Sequence, residues 1–527
     1  MAVDNSTPAP GPAATTEVAP ATVTPAGQLG ANPLRWRVLA VLSLMQFLIV
    51  TDNTIVNVAL PAIRRDLHFA ASGLAWVVDG YMLAAGGLLL LGGRIGDRVG
   101  YRRMFLAGTW TFGLASVASG VSISPTMLVI SRFAQGVGEA MAAPAALALI
   151  AVLFTGADRA KALGVWGGLA GLGATVGVLL SGVLVEWASW RWVFLINIPF
   201  VACAIVALPR VIGPDDRRRW AKARVDVAGA ILITAGLTLA VAGLLRVAAH
   251  GWGDAGTLSM FAVAVGCLAA FALVESRTVQ PLVPFGFLRH RTRVAANVVS
   301  ALLGGAMAGM FVLLTLYQQS VVHYSPLRTG LAYLPFCLAF VPGFAVAAVT
   351  MKRWGTRVTL VAAFVMCVAG MVLMSRITAT SDYVGVMLPA MVVLAVGLGM
   401  AFPAAQNAAL AETTEESTGL ASGVQTTAQA LGAALGVAAL VTVAAAHTPA
   451  PELAASIVHG DRVAFLTAAG MYLLAALIAG VAVREPHDPE QEPAADVLSR
   501  TTADGPAATA PTGADAAVSF LHGPHDR

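Results

Sequence analysis

Ionisable residues within long apolar stretches are the first candidates for chemistry, because charge in such surroundings is costly and rarely without function. Asp52, Asp79 and Arg132 lie in different apolar runs, and helical rise places them at similar depths. Groups of opposite sign at one depth could form a buried network that eases the cost of each charge. We predict that Asp52 and Arg132 have a functional role, with Asp79 as a further member of the network. The alternatives for Asp52 are a purely structural partner of Arg132 or a solvated position near a helix end.

Glu139 is a fourth ionisable residue in these stretches. It follows Arg132 by seven residues, so a helix would place both on one face, with Glu139 nearer the bilayer centre. Desolvation there disfavours a charged carboxylate, which suits a group that exchanges a proton or attracts a cationic substrate. The alternative is a permanently neutral acid bonded to a neighbouring helix. We assign Glu139 to proton coupling and also to a substrate cavity, which it shares with three other polar residues: Asn53, Asn57 and Gln135.

Other classes of chemistry find no support in the sequence. It lacks a Gly-rich loop followed by Lys and Ser or Thr, so no ATP-driven motor is predicted. The histidines lack metal-ligand spacing, and the four cysteines fall inside apolar segments where packing is their expected role. No nucleophile is paired with a base. We therefore predict neither an enzyme nor a metal, cofactor or nucleic-acid site.

The elements that position these residues follow from composition. Hydrophobic residues make up 57% of the 527 residues and charged residues 11%, whereas soluble domains have about 25% charged residues. This predicts an all-α membrane protein. About 20 apolar residues cross about 30 Å of hydrocarbon, and fourteen such runs are present: 36–58, 74–92, 104–122, 126–149, 162–185, 192–211, 226–246, 256–274, 294–319, 328–350, 357–377, 384–405, 418–444 and 463–483.

The two ends of the chain differ from the region between them. Residues 1–33 and 486–527 are polar and rich in Ala and Pro, which predicts disordered tails rather than a signal peptide. Placing both tails in the cytoplasm puts most of the 32 Lys and Arg residues on the cytoplasmic side and supports an even number of spans. The bias toward Ala and Gly over Lys suggests a bacterial source. We expect a monomer in the bacterial cytoplasmic membrane.

A strongly basic segment, Gly93–Leu106, separates two of the apolar runs and is expected to form a cytoplasmic turn. A weaker copy at 352–357 aligns with it without gaps in three pairs: Arg98 with Arg353, Gly100 with Gly355, and Arg102 with Arg357. A basic turn repeated in two halves of a polytopic chain suggests an internally duplicated transporter.

Together these motifs resemble the major facilitator superfamily, and within it the fourteen-span drug:proton antiporter family. Gly93–Leu106 is similar to that family's loop between spans two and three, and Asp52–Pro61 to a first-span signature of drug exporters. The segment Trp190–Pro199 is similar to the start of span six. The fourth-span pattern that carries a membrane arginine is matched by Leu128, Arg132, Gln135, Gly136 and Gly138. The resemblance covers residues 36–484.

The resemblance implies two six-helix bundles, 34–211 and 281–485, with two extra transmembrane helices in a linker over 212–280. It implies alternating access by rocking, with inward proton flow driving export of small lipophilic, often cationic compounds across the bilayer. Asp52 and Arg132 would carry the proton coupling, with Asp79 as a further member of the coupling route. A latch on the cytoplasmic side would comprise Gly93, Asp97, Arg98, Gly100, Arg102, Gly355 and Arg357.

The fifth span departs from the antiporter signature. Its glycine spacing survives as Gly164, Gly173, Gly177 and Gly182, which predicts either a pliable hinge helix or close helix packing. Val178 replaces the family's proline, and Ser181 precedes Gly182 where the family has two glycines. An exporter of an endogenous lipid or secondary metabolite is therefore the alternative function. A non-transporting sensor or scaffold is disfavoured, because it has no need for buried charges.

Overall fold

The computed structural model describes residues 34–70, 73–154, 156–212, 226–278, 290–411, 415–450 and 453–484. The two predicted tails lie outside these residues. All regular structure within them is helical, apart from turns, which confirms the predicted fold class. The α-helices are α1 (Leu34–Leu67), α2 (Trp76–Val99), α3 (Tyr101–Gly120), α4 (Pro125–Leu153), α5 (Gly156–Trp187), α6 (Trp192–Leu195), α7 (Asn197–Val211), α8 (Val227–His250), α9 (Ala255–Arg277), α10 (Arg291–Ser320), α11 (Pro326–Ala332), α12 (Leu334–Met374), α13 (Leu388–Ala409), α14 (Glu415–Ala446) and α15 (Ala454–Ala482).

Within the described residues, 11 helices are long and apolar enough to cross a membrane. The run 326–374 is one of them, although Gly355 interrupts α12 with non-helical backbone and divides it into two segments. Two predicted spans, in α3 and α5, are not among the 11; α5 contributes only the shorter apolar stretch Thr175–Trp187. The total of fourteen spans, and the division into bundles and linker, stay predictions.

The predicted basic turn is mostly helical, which corrects the sequence analysis. α2 continues to Val99 and α3 begins at Tyr101, so Gly100 alone separates them. Gly100 has φ 106° and Gly355 has φ 80°, a region that is readily open to glycine and unfavourable for other residues. The predicted alignment of these two glycines therefore corresponds to a shared backbone conformation between consecutive helical segments.

The last helix also begins earlier than predicted. The sequence placed its start at residue 463, whereas α15 begins at Ala454. Asp461 and Arg462 thus lie inside the helix, and Asp461 is 4% exposed. Arg462 is accommodated because its Nε donates to the carbonyl oxygen of Ser375 at 2.9 Å. Hydropathy placed the start of the span after these charges because it does not register partners on other helices.

Helices from the two halves of the chain contact each other where α1 and α5 meet α10 and α11. Gln319 Nε2 of α10 donates to the carbonyl oxygen of Val58 in α1 at 2.9 Å. The backbone N–H of Leu327 in α11 donates to Glu186 Oε2 of α5 at 2.8 Å. By the predicted orientation, these contacts lie toward the outer face of the membrane.

α8 packs against both halves. Thr234 of α8 occupies the space beside Gly87 of α2, where a Cβ would not fit. Farther along, Thr442 Oγ1 of α14 donates to the carbonyl oxygen of Leu244 in α8 at 2.9 Å. Between α2 and α8 lies an open apolar groove of about 370 Å³, lined by Leu88, Ile231, Thr234, Ala235, Thr238 and Leu239.

In the second half, α10 and α14 meet backbone to backbone. A Cβ on Gly305 would lie 2.7 Å from the carbonyl oxygen of Gly432, and Gly436 lies directly against Gly305. Only glycine allows helices to approach so closely. Around this seam, large side chains of α10, α12, α13 and α15 form a continuous core that includes Tyr317, Phe364, Met391, Phe465 and Tyr472.

Candidate functional site

Asp52 of α1 and Arg132 of α4 form a direct ion pair inside the first half of the chain. Arg132 Nη1 donates to Asp52 Oδ2 at 2.6 Å, and the side chains of Arg132 and Asp52 are 2% and 0% exposed. Arg132 Nε also donates to the carbonyl oxygen of Val77 in α2, at 2.8 Å. The contact expected from their matched depths is therefore present. Its role in coupling stays a prediction.

Two amides complete the surroundings of this pair. Gln135 Nε2 and Asn197 Nδ2 both donate to Asp52 Oδ1, at 3.2 and 2.7 Å. Gln135 Oε1 accepts from Arg132 Nη1 at 2.9 Å, and both amides also donate to Ser116 Oγ of α3. Asp52 thus receives three donors, and such donors are what a buried charge pair needs for stability.

Gln135 therefore has a different position from the one predicted. The sequence analysis assigned it to the substrate cavity, but it is 0% exposed, and its hydrogen bonds go to Asp52, Arg132, Ser116 and Ser119. Asn197 and Ser116 were not singled out, because an amide or hydroxyl in an apolar run carries no signal of which helix it faces.

Tyr81 of α2 packs against the arginine of this network. Its ring centre lies 4.3 Å from the guanidinium carbon of Arg132, within the range of a cation–π interaction. Its hydroxyl accepts a hydrogen bond from Asn53 Nδ2 of α1 at 3.4 Å. Tyr81 thus contacts side chains of both α1 and α4.

Glu139 itself is only partly satisfied. Its Oε2 atom is buried and has no hydrogen-bond partner among the described residues. A proton on Oε2 would therefore displace no existing hydrogen bond. Asn57, the remaining predicted cavity residue, is half-buried and donates to the backbone oxygen of Asn53 at 3.1 Å.

Asp79 does not join the network, contrary to the expected cluster of three charges. It lies in the first turn of α2 and is 0% exposed, and neither carboxylate oxygen has a partner in the described part of the chain. Asp461 is a further buried acid with an unpartnered oxygen. Asp79, Glu139 and Asp461 lie on different helices, and no group of three His, Cys, Asp or Glu within the described ranges could hold a metal ion.

The predicted latch residues surround the α2–α3 junction and its copy. Asp97 Oδ1 accepts from the Tyr101 hydroxyl at 2.7 Å, across Gly100. Arg98 is exposed, Arg102 is half-buried and Arg357 is exposed. A Cβ on Gly93 would meet only Pro144 of α4, at 3.7 Å. Gly93 is therefore not a site of forced close approach, and the latch stays a prediction.

The glycines of α5 are sites of tight packing. A Cβ on Gly173 or Gly177 would lie 2.7 or 2.8 Å from backbone oxygens of α1, and one on Gly182 would lie 2.8 Å from a backbone oxygen of α11. Ser181 Oγ donates to a carbonyl oxygen of α1 at 2.5 Å. Gly164 lies in α5, but its surroundings are outside the described side chains. Packing accounts for three of the glycines, and a hinge stays a prediction.

An aromatic chain in the second half was missed by sequence reasoning. Its rings belong to α10, α12 and α13 and to Tyr333, the residue between α11 and α12, and neighbouring ring centres are 5.1–6.2 Å apart. The spacing of Tyr333 and the α12 members, three or four residues apart, was the available signal. It consists of Phe311, Tyr333, Phe336, Phe340, Phe344 and Phe402.

Comparison with known proteins agrees with this architecture. The Major Facilitator Superfamily model matches residues 42–437. The chain is 39% identical to the puromycin resistance protein pur8 of Streptomyces alboniger, covering 86% of this chain and 92% of the relative. It is 37% identical to the lincomycin resistance protein of Streptomyces lincolnensis, covering 73% and 79%.

A solved structure gives the same fold. The inward open conformation of the xylose transporter XylE from E. coli aligns with a TM-score of 0.60 and 15% identity, over 86% of this chain and 97% of XylE. The long apolar helices, the repeated glycine junction and these matches lead to one conclusion. This multi-pass membrane protein belongs to the Major Facilitator Superfamily of transporters.

Proposed function

We propose that this protein exports lipophilic, cationic antibiotic-like compounds in exchange for protons, by rocker-switch alternating access in a bacterial cytoplasmic membrane. The observation that carries the proposal is the unpartnered Glu139 Oε2 next to a fully satisfied Asp52–Arg132 pair. A transporter of this kind needs an acid that changes its proton state without dismantling the fold. The resistance functions named for the relatives support antibiotics as cargo.

The hydrogen bonds around Asp52 and Glu139 favour different roles for these two acids. Asp52 accepts from Arg132, Gln135 and Asn197, so protonating it would leave a buried donor or cation without its acceptor. That outcome is strongly unfavourable. Glu139 lacks this constraint, and we assign it the exchangeable proton. Asp79, also buried and unpartnered, is the second candidate.

The two halves would present different surfaces to the cargo. Asn53, Asn57 and Glu139 supply polar groups from α1 and α4, and the aromatic chain supplies rings from α10, α12 and α13. A charge in a medium of low dielectric attracts a cation strongly, and aromatic rings bind apolar and cationic groups. Together these surfaces suit compounds that carry both an apolar body and a positive charge.

Alternating access would require the α1–α10 and α5–α11 contacts to separate. The Gln319–Val58 and Glu186–Leu327 hydrogen bonds hold these helices together in the present arrangement. By the predicted orientation with cytoplasmic termini, breaking them opens the outer face. Asp97 and its neighbours would then close the cytoplasmic side.

The test is export by the full-length chain in inside-out vesicles with an acidic lumen. Puromycin, lincomycin and the lipophilic cation ethidium serve as probes. We expect accumulation of at least one probe that collapses when the pH gradient is dissipated, and release of lumenal protons when that probe is added. Accumulation that ignores the gradient would overturn proton coupling. Failure with all three probes would overturn the proposed cargo class.

A further inference from the structure

We propose that Asp79 is a second proton-binding site, whose proton permits the outer part of the interface between the two halves to close. The inference deepens the proposed function: it rests on alternating access, and it gives Asp79 a role apart from the proton exchanged at Glu139. Asp79 lies in the first turn of α2 and is 0% exposed. Among the described residues, neither of its carboxylate oxygens has a hydrogen-bond partner.

Asp79 lies on the face of α2 that meets the second half of the chain. A Cβ on Gly86 would lie 2.8 Å from the Cβ of Ala430 in α14, and a Cβ on Gly423 of α14 would lie 3.0 Å from Leu90 Cδ2. Gly86 and Leu90 follow Asp79 by seven and eleven residues, so helical periodicity places all three on one face. Asp79 is therefore at the α2–α14 interface. By the predicted orientation, it lies on the outer side of those two contacts.

A structural role at the start of the helix does not account for this acid. Acids in a first turn commonly bind the free N–H groups there and gain from the helix dipole. In α2, the N–H groups of Trp76, Val77, Val78 and Asp79 itself all donate to backbone oxygens of the preceding turn. The dipole alone contributes much less than the cost of burying an unpaired carboxylate. Asp79 therefore holds a proton in the present arrangement.

The charged groups on the helices around α2 are engaged elsewhere. α2 packs against α1, α3, α4, α8 and α14. Arg132 of α4 pairs with Asp52 of α1, and Arg246 of α8 pairs with Asp254. Residues 104–120 of α3 and 420–446 of α14 include no ionisable side chain. None of the described groups bonds to Asp79. The remaining ionisable residues of these helices, away from their cytoplasmic ends, are Arg64, Arg65, Asp66, Tyr81, Glu139 and His250.

Closure of the interface and proton binding are therefore linked. When the outer side opens, water reaches the outer part of the interface and Asp79 can ionise. Burial on closure disfavours the charged form, so the closed interface binds the proton more tightly than the open one. Closure is then favoured at low pH and lost as the pH rises, with the ratio of open to closed molecules changing by up to about tenfold per pH unit. The proton comes from the outer water, resides on a carboxyl oxygen of Asp79, and returns to that water on opening.

The test measures opening of the outer side without cargo or a pH gradient. Ile123→Cys and Val384→Cys place spin labels at exposed outer positions of the two halves, 83% and 64% exposed. The four native cysteines are replaced by alanine, and pulsed electron paramagnetic resonance on the purified full-length protein gives the distance between the labels. We expect the wild type to move from short to long distances as the pH rises. Asp79→Asn, neutral at every pH, should keep the short distance throughout, and Asp79→Glu should restore a pH response.

Asp461→Asn is the matched control. Asp461 is another buried acid with an oxygen that has no partner in the described part of the chain. Its helix, α15, packs against α10, α12 and α14 of the second half, so this variant should keep the wild-type pH response. At low pH, Asp79→Asn should match the wild-type distance, because both side chains are then neutral.

Four results would overturn the inference. They are an unchanged pH response in Asp79→Asn, a low-pH distance in that variant unlike the wild type, a lost response in Asp461→Asn, and wild-type distances that ignore pH. The vesicle assay is separate. Its failure beside an intact pH response overturns proton-coupled export alone, whereas export beside pH-independent distances overturns the role of Asp79 alone.

Discussion

Arg132 Nη1 lies 2.6 Å from Asp52 Oδ2, in a site from which solvent is almost completely excluded. Every other polar atom of Asp52 is also occupied, because Gln135 and Asn197 both donate to its Oδ1. Glu139, nearby on α4, has an oxygen that is equally buried and has no partner. Asp52 and Arg132 thus form a fixed charge pair, whereas Glu139 has an oxygen that can take up a proton without losing a hydrogen bond. The first two predictions concern this difference.

Asp52→Asn leaves Arg132 buried without its counter-ion. Breaking such a pair lowers the free energy of unfolding by about 3–5 kcal/mol, so we expect a lower melting temperature for an inserted protein that has lost gradient-driven export. The double variant Asp52→Asn/Arg132→Met removes both charges and should regain most of the stability without regaining export. Thermal melting and vesicle export on the same preparations measure both quantities. Wild-type export by Asp52→Asn would show that the pair has no part in coupling.

Glu139→Gln distinguishes three roles for the acid: an anchor for cationic cargo, the carrier of the exchanged proton, and a permanently neutral structural acid. If Glu139 anchors cationic cargo, export of ethidium should fall more than export of a neutral probe, because only the cation gains from a charge at low dielectric. If Glu139 carries the exchanged proton, as proposed here, gradient-driven export of both should fail together. Asp461→Asn, a change at a buried acid of the other half, is the matched control and should alter neither. Near-wild-type export of both probes by Glu139→Gln would remove Glu139 from the site.

Asp97→Ala removes the acceptor of the Tyr101 hydroxyl bond beside Gly100. Because this junction is remote in sequence and position from the Asp52–Arg132 site, we expect turnover to fall several-fold while the dissociation constant of the exported probe stays unchanged. Tyr101→Phe, which deletes the same hydrogen bond and keeps the acid, separates that bond from the charge of Asp97. Equal losses in affinity and turnover would argue against a latch.

Gly177→Ala tests the packing of α5 on α1. The new methyl group would lie 2.8 Å from the carbonyl oxygen of Thr51, and such overpacking lowers the free energy of unfolding by about 1–3 kcal/mol. Gly470→Ala in α15 is the control, since a Cβ there has nothing within 4 Å and should stabilise the helix by up to about 1 kcal/mol. Melting temperatures of the two variants should move in opposite directions. A wild-type melting temperature for Gly177→Ala would mean that α1 and α5 can separate freely.

The Asp52–Arg132 contact could be predicted because charges in apolar runs are rare and helical rise gives their depth. Depth alone does not give the direction in which a side chain points. Gln135 was therefore assigned to the cavity, and Asp79 to the network, although the structure places neither there. Tyr81 gave no signal at all, since an aromatic residue in an apolar run ordinarily packs in a core.

Helix ends show a second limit. Hydropathy places a boundary at each charged residue, so it began the last span at residue 463, after Asp461, and treated Gly93–Leu106 as a turn. In the structure, α15 extends past Asp461, and α2 and α3 extend through the basic residues up to Gly100. Whether a charge ends a helix depends on partners and burial that only the folded chain supplies. Gly100 and Gly355 could be predicted because the backbone conformation itself requires glycine.

The backbone contact between α10 and α14 has a mechanical consequence. Packed side chains yield under load by changing rotamers, but the seam at Gly305, Gly432 and Gly436 has none to change. This seam therefore resists bending, so in the proposed alternating access the second half would rotate as one piece rather than flex along these helices. Deformation in the second half is instead expected where helices meet through long side chains, as they do along the aromatic chain. Inherited variation in cargo preference should accumulate there, whereas the glycine seam should tolerate no added methyl group.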